Sequence, residues 1–263
     1  MATPSQNFTP RLYHGVGPPL PAGLALAVYG LATATFFAIT LVIGNSPLAS
    51  ALTQVLAFVA VPLAALRLHG ASPRDLGIER PPLLPVVGAL VIGCGLWLIS
   101  LHIAVPILEA TEREDQTREL SRRLLAPDVA LPLVIAANAL VPGVCEELAH
   151  RGLLLGALAP RLGRAGGVAV TTALFALLHL QPARMASSGL LGLIAAVLAI
   201  WARSVWPAVT LHVVNNTVAL CLGAGLAPDL ARLIGAHPDG SLTVAAALVT
   251  TGLGIAWIGR QPT

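Results

Sequence analysis

The chain has 263 residues, of which 56% are apolar and only 10% are charged. Soluble domains usually carry charge on about 25% of their residues, so this composition argues against a soluble enzyme. The net charge of +3 is small and dispersed, which argues against nucleic acid as a partner. The three cysteines have neither metal-ligand nor redox spacing, and we expect them to be inert.

Long charge-free stretches predict membrane-spanning helices, because an apolar run of about 20 residues crosses a bilayer as a helix. The runs are continuous in Ala, Leu, Val and Gly, unlike the alternating pattern of a membrane barrel. The predicted spans are 22–44, 48–66, 83–107, 130–158, 166–182, 188–203, 207–226 and 242–259. We therefore expect an all-α, polytopic transmembrane bundle of about eight spans, with a polar cavity inside it.

The loop arginines indicate the orientation. An even number of spans puts both termini on one side, and that side carries eight arginines against six on the other. Because basic loops favour the cytoplasm, we expect both termini to be cytoplasmic. The charged segment from Glu109 to Leu125 lies on the opposite side. It predicts an amphipathic surface helix, which serves either as a solvated connector or as a gate over a cavity.

Ionisable residues inside the predicted spans mark a candidate site, since such groups are costly in a membrane. The fourth span contains Glu146, Glu147 and Arg151. Glu147 and Arg151 are i,i+4 neighbours that can pair, whereas Glu146 points about 100° away from Glu147. One carboxylate is thus neutralised, and the other is available to a polar cavity. The alternative is an ion pair that only fixes helix packing, which leaves Glu146 unexplained.

Two later spans supply further polar groups. His179 shares a helix face with Phe175, and His212 shares one with Asn216. A carboxylate, imidazoles and an amide are the groups needed to activate water and stabilise an oxyanion. Glu146 and His179 lie at similar depths, but His212 follows its loop much more closely. For His212 to come close to Glu146 and His179, the turn before it must lie below the membrane surface, or the helices must be tilted or broken.

At these residues the chain resembles the CPBP family of intramembrane proteases, which includes the type II CAAX prenyl endopeptidases and bacterial relatives. The family pattern is EExxxR, then FxxxH, then HxxxN. It is met in order by Glu146-Glu147 with Arg151, Phe175 with His179, and His212 with Asn216. One departure is His150, where members usually carry an aromatic or aliphatic residue. Its position one turn after Glu146 makes it a candidate modulator.

The resemblance implies glutamic-type peptide hydrolysis without a cofactor. Glu146 would act as general base with His179 on the attacking water. His212 and Asn216 would hold the oxyanion, while Glu147 and Arg151 would brace the site. Together with the span pattern this suggests four segments: an irregular tail over 1–21, N-terminal helices with the connector over 22–129, a protease core over 130–226 to which the resemblance applies, and the last loop and span over 227–263.

Two alternatives remain open. A zinc protease is the first, since His150, His179, His212 and Glu146 offer enough ligands, although the HExxH motif is absent. A non-enzymatic immunity protein or proton-coupled carrier is the second, because carriers also use Glu and His inside the membrane.

The expected partners are the lipid bilayer and a membrane-associated protein or peptide. We expect the cleaved segment to be a C-terminal sorting tag or a lipidated tail, and we expect no nucleic acid partner. All fifteen basic residues are arginine, which indicates a GC-rich genome and hence a bacterial cytoplasmic membrane.

Overall fold

The computed structural model describes residues 12–13, 20–44, 46–111 and 128–261. Within these ranges every regular element is helical, which confirms the predicted all-α class. In chain order the helices are α1 (Ala22–Ile43), α2 (Pro47–Leu68), α3 (Leu83–Ala110), α4 (Leu131–Leu177), α5 (Pro182–Ala202), α6 (Trp206–Gly223), α7 (Pro228–Ala236) and α8 (Pro238–Ile258). A single 3-10 turn, Pro73–Leu76, lies in the described part of the α2–α3 connection.

Helix α4 is broken at Gly163, whose φ of 73° and ψ of 164° are not helical. Glycine tolerates this conformation because it has no Cβ. The break divides α4 into α4a (131–162) and α4b (164–177), which correspond to the fourth and fifth predicted spans. All the predicted spans therefore have a helical counterpart, and the polytopic bundle is confirmed.

The described residues contain six helical segments that are long and apolar enough to cross a membrane, with α4 counted as one. The pair α6 and α7 qualifies as one further span, although it is bent by 95°. The chain is therefore an integral membrane protein.

Several helix ends differ from the predicted ones. Helix α4a continues through Pro160 to the glycine break, where the sequence suggested a loop over 159–165. Helix α5 begins at Pro182 rather than near residue 188, because proline is well suited to the first position of a helix. The predicted connector helix from Glu109 to Leu125 falls largely on 112–127, outside the described residues.

Wide π-helical turns interrupt α2 and α4a. Two of them, Leu56–Ala60 and Ala136–Leu140, end two residues before Pro62 and Pro142. Proline lacks an N–H and clashes with the carbonyl four residues earlier, so a locally wider helix accommodates it. A third π segment, Leu148–Leu155, directly follows the Glu146-Glu147 pair. Such segments frequently occur at functional sites.

The turn between α5 and α6 lies below the surface of the bundle. Ser204 and Val205 are buried, with relative exposures of 1% and 0%. The Val205 N–H donates to the Gly77 carbonyl at 2.9 Å, and Ser204 Oγ donates to the Glu79 carbonyl at 2.8 Å. The segment after the 3-10 turn therefore covers this turn. A turn buried in this way is compatible with the first of the two arrangements expected for His212.

Two clusters of buried apolar side chains hold the bundle together. One lies mainly among α3, α5, α6 and α8, and the other among α1, α2 and α4a. Leu148 packs against both clusters. The charged stretch 146–151 therefore lies at the boundary between the two halves of the apolar core.

Candidate active site

Glu147 is the centre of a buried ionic cluster. Its side chain is fully buried, and its Oε2 lies 3.0 Å from Nη1 of Arg151, which also donates to Oε1 at 3.1 Å. The expected i,i+4 pair is thus present. Nδ1 of His212 lies 2.8 Å from the same Oε1. Because the carboxylate accepts, the Nδ1 hydrogen of His212 donates to it, so Glu147 connects α4a to α6.

Arg151 extends this cluster to α5 and α4b. Its Nη2 donates to the Gly192 carbonyl at 2.7 Å, and its guanidinium carbon lies 4.6 Å from the centroid of the Phe175 ring. A Cβ at Gly192 would lie 3.0 Å from both Nη2 and the Phe175 ring, so the glycine allows the close approach. Arg151 is therefore neutralised by Glu147 and held between three helices.

The Arg151 backbone has a second support outside the spans. The hydroxyl of Tyr13, which precedes α1, donates to the Arg151 carbonyl at 2.8 Å. Burial raises the pKa of the Tyr13 phenol, so the residue stays a neutral donor. Sequence reasoning missed this contact, since residues 138 positions apart in sequence carry no common pattern.

Glu146 has a different environment from its neighbour. It is 7% exposed, and its Oε1 accepts a hydrogen bond from Gln54 Nε2 on α2 at 2.8 Å. Its Oε2 is buried and has no hydrogen-bond partner among the described residues. Glu146 also lies within electrostatic range of His212 and Arg184. One oxygen of this carboxylate is therefore held in place, and the other is available for chemistry.

The geometry of His179 and Asn216 fixes their donor and acceptor roles. Nδ1 of His179 donates to the Phe175 carbonyl at 3.0 Å, which leaves a lone pair on Nε2 of the neutral ring. Nδ2 of Asn216 donates one hydrogen to the Asn138 carbonyl at 3.3 Å, and its Oδ1 accepts from Asn215 at 3.2 Å. The second amide hydrogen of Asn216 remains for another acceptor.

His150 is fully buried, and both of its ring nitrogens are hydrogen-bonded within the bundle. Nδ1 donates to the backbone carbonyl of Glu146 at 2.7 Å, not to its carboxylate. Nε2 therefore accepts from the Tyr29 hydroxyl at 2.9 Å. The ring also makes edge contacts with Tyr29 and Phe175, at centroid distances of 5.0 and 4.8 Å. His150 thus packs as an aromatic residue would.

A polar cavity of about 310 Å³ lies between α3, α4b, α5 and α6. Its polar lining consists of His179, Gln181, Arg184, Ser187, Ser188, His212, Asn215 and Asn216, together with Ser100. The two predicted histidines and the predicted asparagine thus share one cavity. Glu146 and Glu147 lie behind its wall, in contact with or in electrostatic range of His212.

Within the described ranges, no group of three His, Cys, Asp or Glu side chains converges in a way that would hold a metal ion. The histidines suggested as zinc ligands make hydrogen bonds within the protein. His150 has both nitrogens engaged, and Nδ1 of His179 and of His212 is bonded to a protein oxygen. The expectation of a cofactor-free site stays a prediction.

Two polar residues near the site were given no functional role by the sequence. Gln54 contacts Glu146 from α2, and Arg184 lines the cavity from the first turn of α5. Gln54 had a usable signal, because an amide inside an apolar span needs a hydrogen-bond partner. Arg184 was counted only as a loop arginine, since the predicted span began six residues too late.

Residues 128–218 match the family model described as "Type II CAAX prenyl endopeptidase Rce1-like". No curated protein and no solved structure matches the chain. The matched segment contains all three motifs and overlaps the predicted core over 130–226. Residues 128–218 are therefore similar to the Rce1-like type II CAAX prenyl endopeptidases, in agreement with the resemblance of the three motifs.

Proposed function

We propose that the protein is a glutamic-type intramembrane endopeptidase in which Glu146 and His179 activate the attacking water. The observation that carries this proposal is the difference between two adjacent buried carboxylates. Glu147 is engaged by Arg151 and His212, whereas Glu146 keeps a buried oxygen without a partner among the described residues. A positioned carboxylate with a free oxygen is suited to general-base catalysis.

In the proposed reaction Glu146 accepts a proton from water as the water oxygen attacks the scissile carbonyl carbon. Nε2 of His179 accepts a hydrogen bond from the same water and orients it. When the tetrahedral intermediate collapses, the C–N bond breaks and the proton passes from Glu146 to the leaving amine. The products are a new carboxyl terminus and a new amino terminus, so the step consumes one water and needs no other reactant.

The oxyanion of the intermediate would be stabilised by His212 and Asn216. Since Nδ1 of His212 donates to Glu147, Nε2 can donate only when the ring is an imidazolium. Glu147 holds the ring in position for that donation, as a carboxylate orients a catalytic histidine. Asn216 supplies its remaining amide hydrogen. Fixed donors in a site that excludes water stabilise developing charge better than water does.

The proposed substrate is a membrane-associated protein or peptide, with a C-terminal sorting tag or a lipidated tail as the candidate types. A membrane-embedded enzyme meets such a substrate at the bilayer, and the cavity volume of about 310 Å³ accommodates a short peptide segment. We place the enzyme in a bacterial cytoplasmic membrane with both termini in the cytoplasm, as the arginine distribution indicates.

The test is cleavage of a peptide and tagged membrane-protein library by purified protein in detergent, with and without a strong chelator. We expect cleavage that the chelator does not reduce, because the proposed steps use only protein groups and water. Loss of cleavage in chelator, restored by added zinc, would instead establish the metal-dependent alternative. A non-enzymatic role would be indicated by an immunity or transport phenotype that survives Glu146→Gln in cells.

His150 provides a second prediction. His150→Phe keeps the ring packing but removes the nearer acceptor of the Tyr29 hydroxyl, which then has only the Leu174 carbonyl at 3.4 Å among the described residues. Loss of one hydrogen bond costs about 0.5–1.5 kcal/mol, so we expect slightly lower thermal stability with cleavage largely retained. The double variant Tyr29→Phe/His150→Phe should recover most of the stability. Loss of cleavage in a stable double variant would show that His150 takes part in the reaction.

A further inference from the structure

Arg184 is a charged residue of the cavity that the proposed reaction does not use. It is the third residue of α5, and it lines the cavity together with His179 and Asn215. Among the described residues, no carboxylate lies within ion-pair distance of its guanidinium. Arg151, which is fully buried, is by contrast paired with Glu147 at 3.0 Å, whereas Arg184 is exposed to the cavity. The cavity thus contains a cation that makes no ion pair with the described residues.

The surroundings of Arg184 favour an anionic ligand. Ser188 lies one helical turn after Arg184, lines the same cavity and adds a hydroxyl donor. The N-terminus of the 21-residue helix α5 contributes a partial positive charge beside them. Glu146 is in electrostatic range of the guanidinium, but its free oxygen serves the water in the proposed reaction. A guanidinium beside a hydroxyl is a good binding group for a planar carboxylate.

We propose that Arg184, assisted by Ser188, forms a subsite that binds a carboxylate of the substrate. This inference rests on the proposed peptidase function and adds a specificity determinant to it. The cavity of about 310 Å³ is at the lower end of the range of ligand pockets, so the carboxylate belongs within a few residues of the scissile bond. Its source is either an acidic side chain or the free C-terminus of the peptide.

The first experiment compares matched cleavable peptides that differ only in their carboxylates. One series replaces an acidic residue by its amide, and the other replaces the free C-terminus by a carboxamide. We expect wild type to prefer the carboxylate form in one series by about 10–100-fold in kcat/KM, as for a hydrogen bond to a charged group. The series that shows the preference identifies the source of the carboxylate.

The variants then test whether Arg184 causes the preference. Arg184→Gln should abolish it mainly through a higher KM for the carboxylate form, and Arg184→Lys should retain part of it. Arg232→Gln is the matched control, because Arg232 is an exposed arginine of α7 that pairs with Asp229. An equal loss of kcat with every peptide would assign Arg184 to holding Glu146, and would overturn the subsite. A carboxylate preference that Arg184→Gln leaves unchanged would also overturn the subsite.

A binding measurement separates this inference from the proposed reaction. Fluorescently labelled peptides of both series are titrated into Glu146→Gln protein, and their affinity is read by anisotropy. We expect this protein to bind the carboxylate form more tightly. The double variant Glu146→Gln/Arg184→Gln should bind both forms equally. Equal affinity in the presence of Arg184, or no binding of any form, would overturn the subsite. A carboxylate preference without any cleavage by wild type would instead contradict only the reaction.

Discussion

Glu146→Gln should reduce cleavage by about 10²–10⁴-fold, the contribution that general acid–base catalysis usually makes. Glutamine has the shape of glutamate and can still accept a hydrogen bond from Gln54, so the local packing is preserved. It cannot accept the proton of the attacking water. The loss should therefore appear in kcat, while KM changes little because the substituted group does not bind the peptide.

The same substitution should leave the fold intact. A buried ionised carboxylate is costly to desolvate, so replacing it by an amide should maintain or raise the thermal unfolding temperature in detergent. Unfolding is followed by tryptophan fluorescence beside the cleavage assay. Glu109→Gln is the matched control, since Glu109 is an exposed glutamate in the last turn of α3. We expect it to change neither measurement.

Two results would contradict this assignment. Turnover by Glu146→Gln at the wild-type rate would show that another group activates the water. If Glu147→Gln lost cleavage in a stable protein while Glu146→Gln kept it, the roles of the two carboxylates would be exchanged. The ionic contacts of Glu147 with Arg151 and His212 argue against such an exchange.

The sequence was informative wherever a local rule applied. The cost of charge in a membrane marked Glu146 and His179, and the geometry of a single helix turn predicted the contact between Glu147 and Arg151. The polytopic helical bundle followed from continuous apolar runs, since the bilayer sets a minimum helix length. Helix ends were less predictable, because Pro160 is accommodated inside α4a and the chain bends only at Gly163.

Contacts between distant segments were beyond sequence reasoning. The hydrogen bond from His212 to Glu147 joins residues 65 positions apart, and that from Gln54 to Glu146 joins residues 92 apart. Each depends on how whole helices pack. The turn before His212 is another example, because it is buried through hydrogen bonds from the Val205 N–H to the Gly77 carbonyl and from the Ser204 hydroxyl to the Glu79 carbonyl. No periodicity within α6 carries that information.

Arg151→Met should have the largest effect on stability, because it leaves the fully buried Glu147 without its cation. Removing one partner of a buried ion pair typically costs about 3–5 kcal/mol. Cleavage should also fall, since Glu147 then no longer holds His212 in a fixed position. The measurement is unfolding in mixed micelles beside the cleavage assay. Arg232→Met, which removes an exposed ion pair on α7, should change stability little.

The double variant Arg151→Met/Glu147→Leu separates stability from catalysis. Replacing both members of a buried pair by apolar residues is often neutral, so the double variant should recover much of the stability that Arg151→Met loses. It should not recover cleavage, because His212 loses the carboxylate to which its Nδ1 donates. Recovery of both properties would show that the ion pair serves only helix packing. Recovery of stability alone would indicate that the Glu147 carboxylate orients His212 for the reaction.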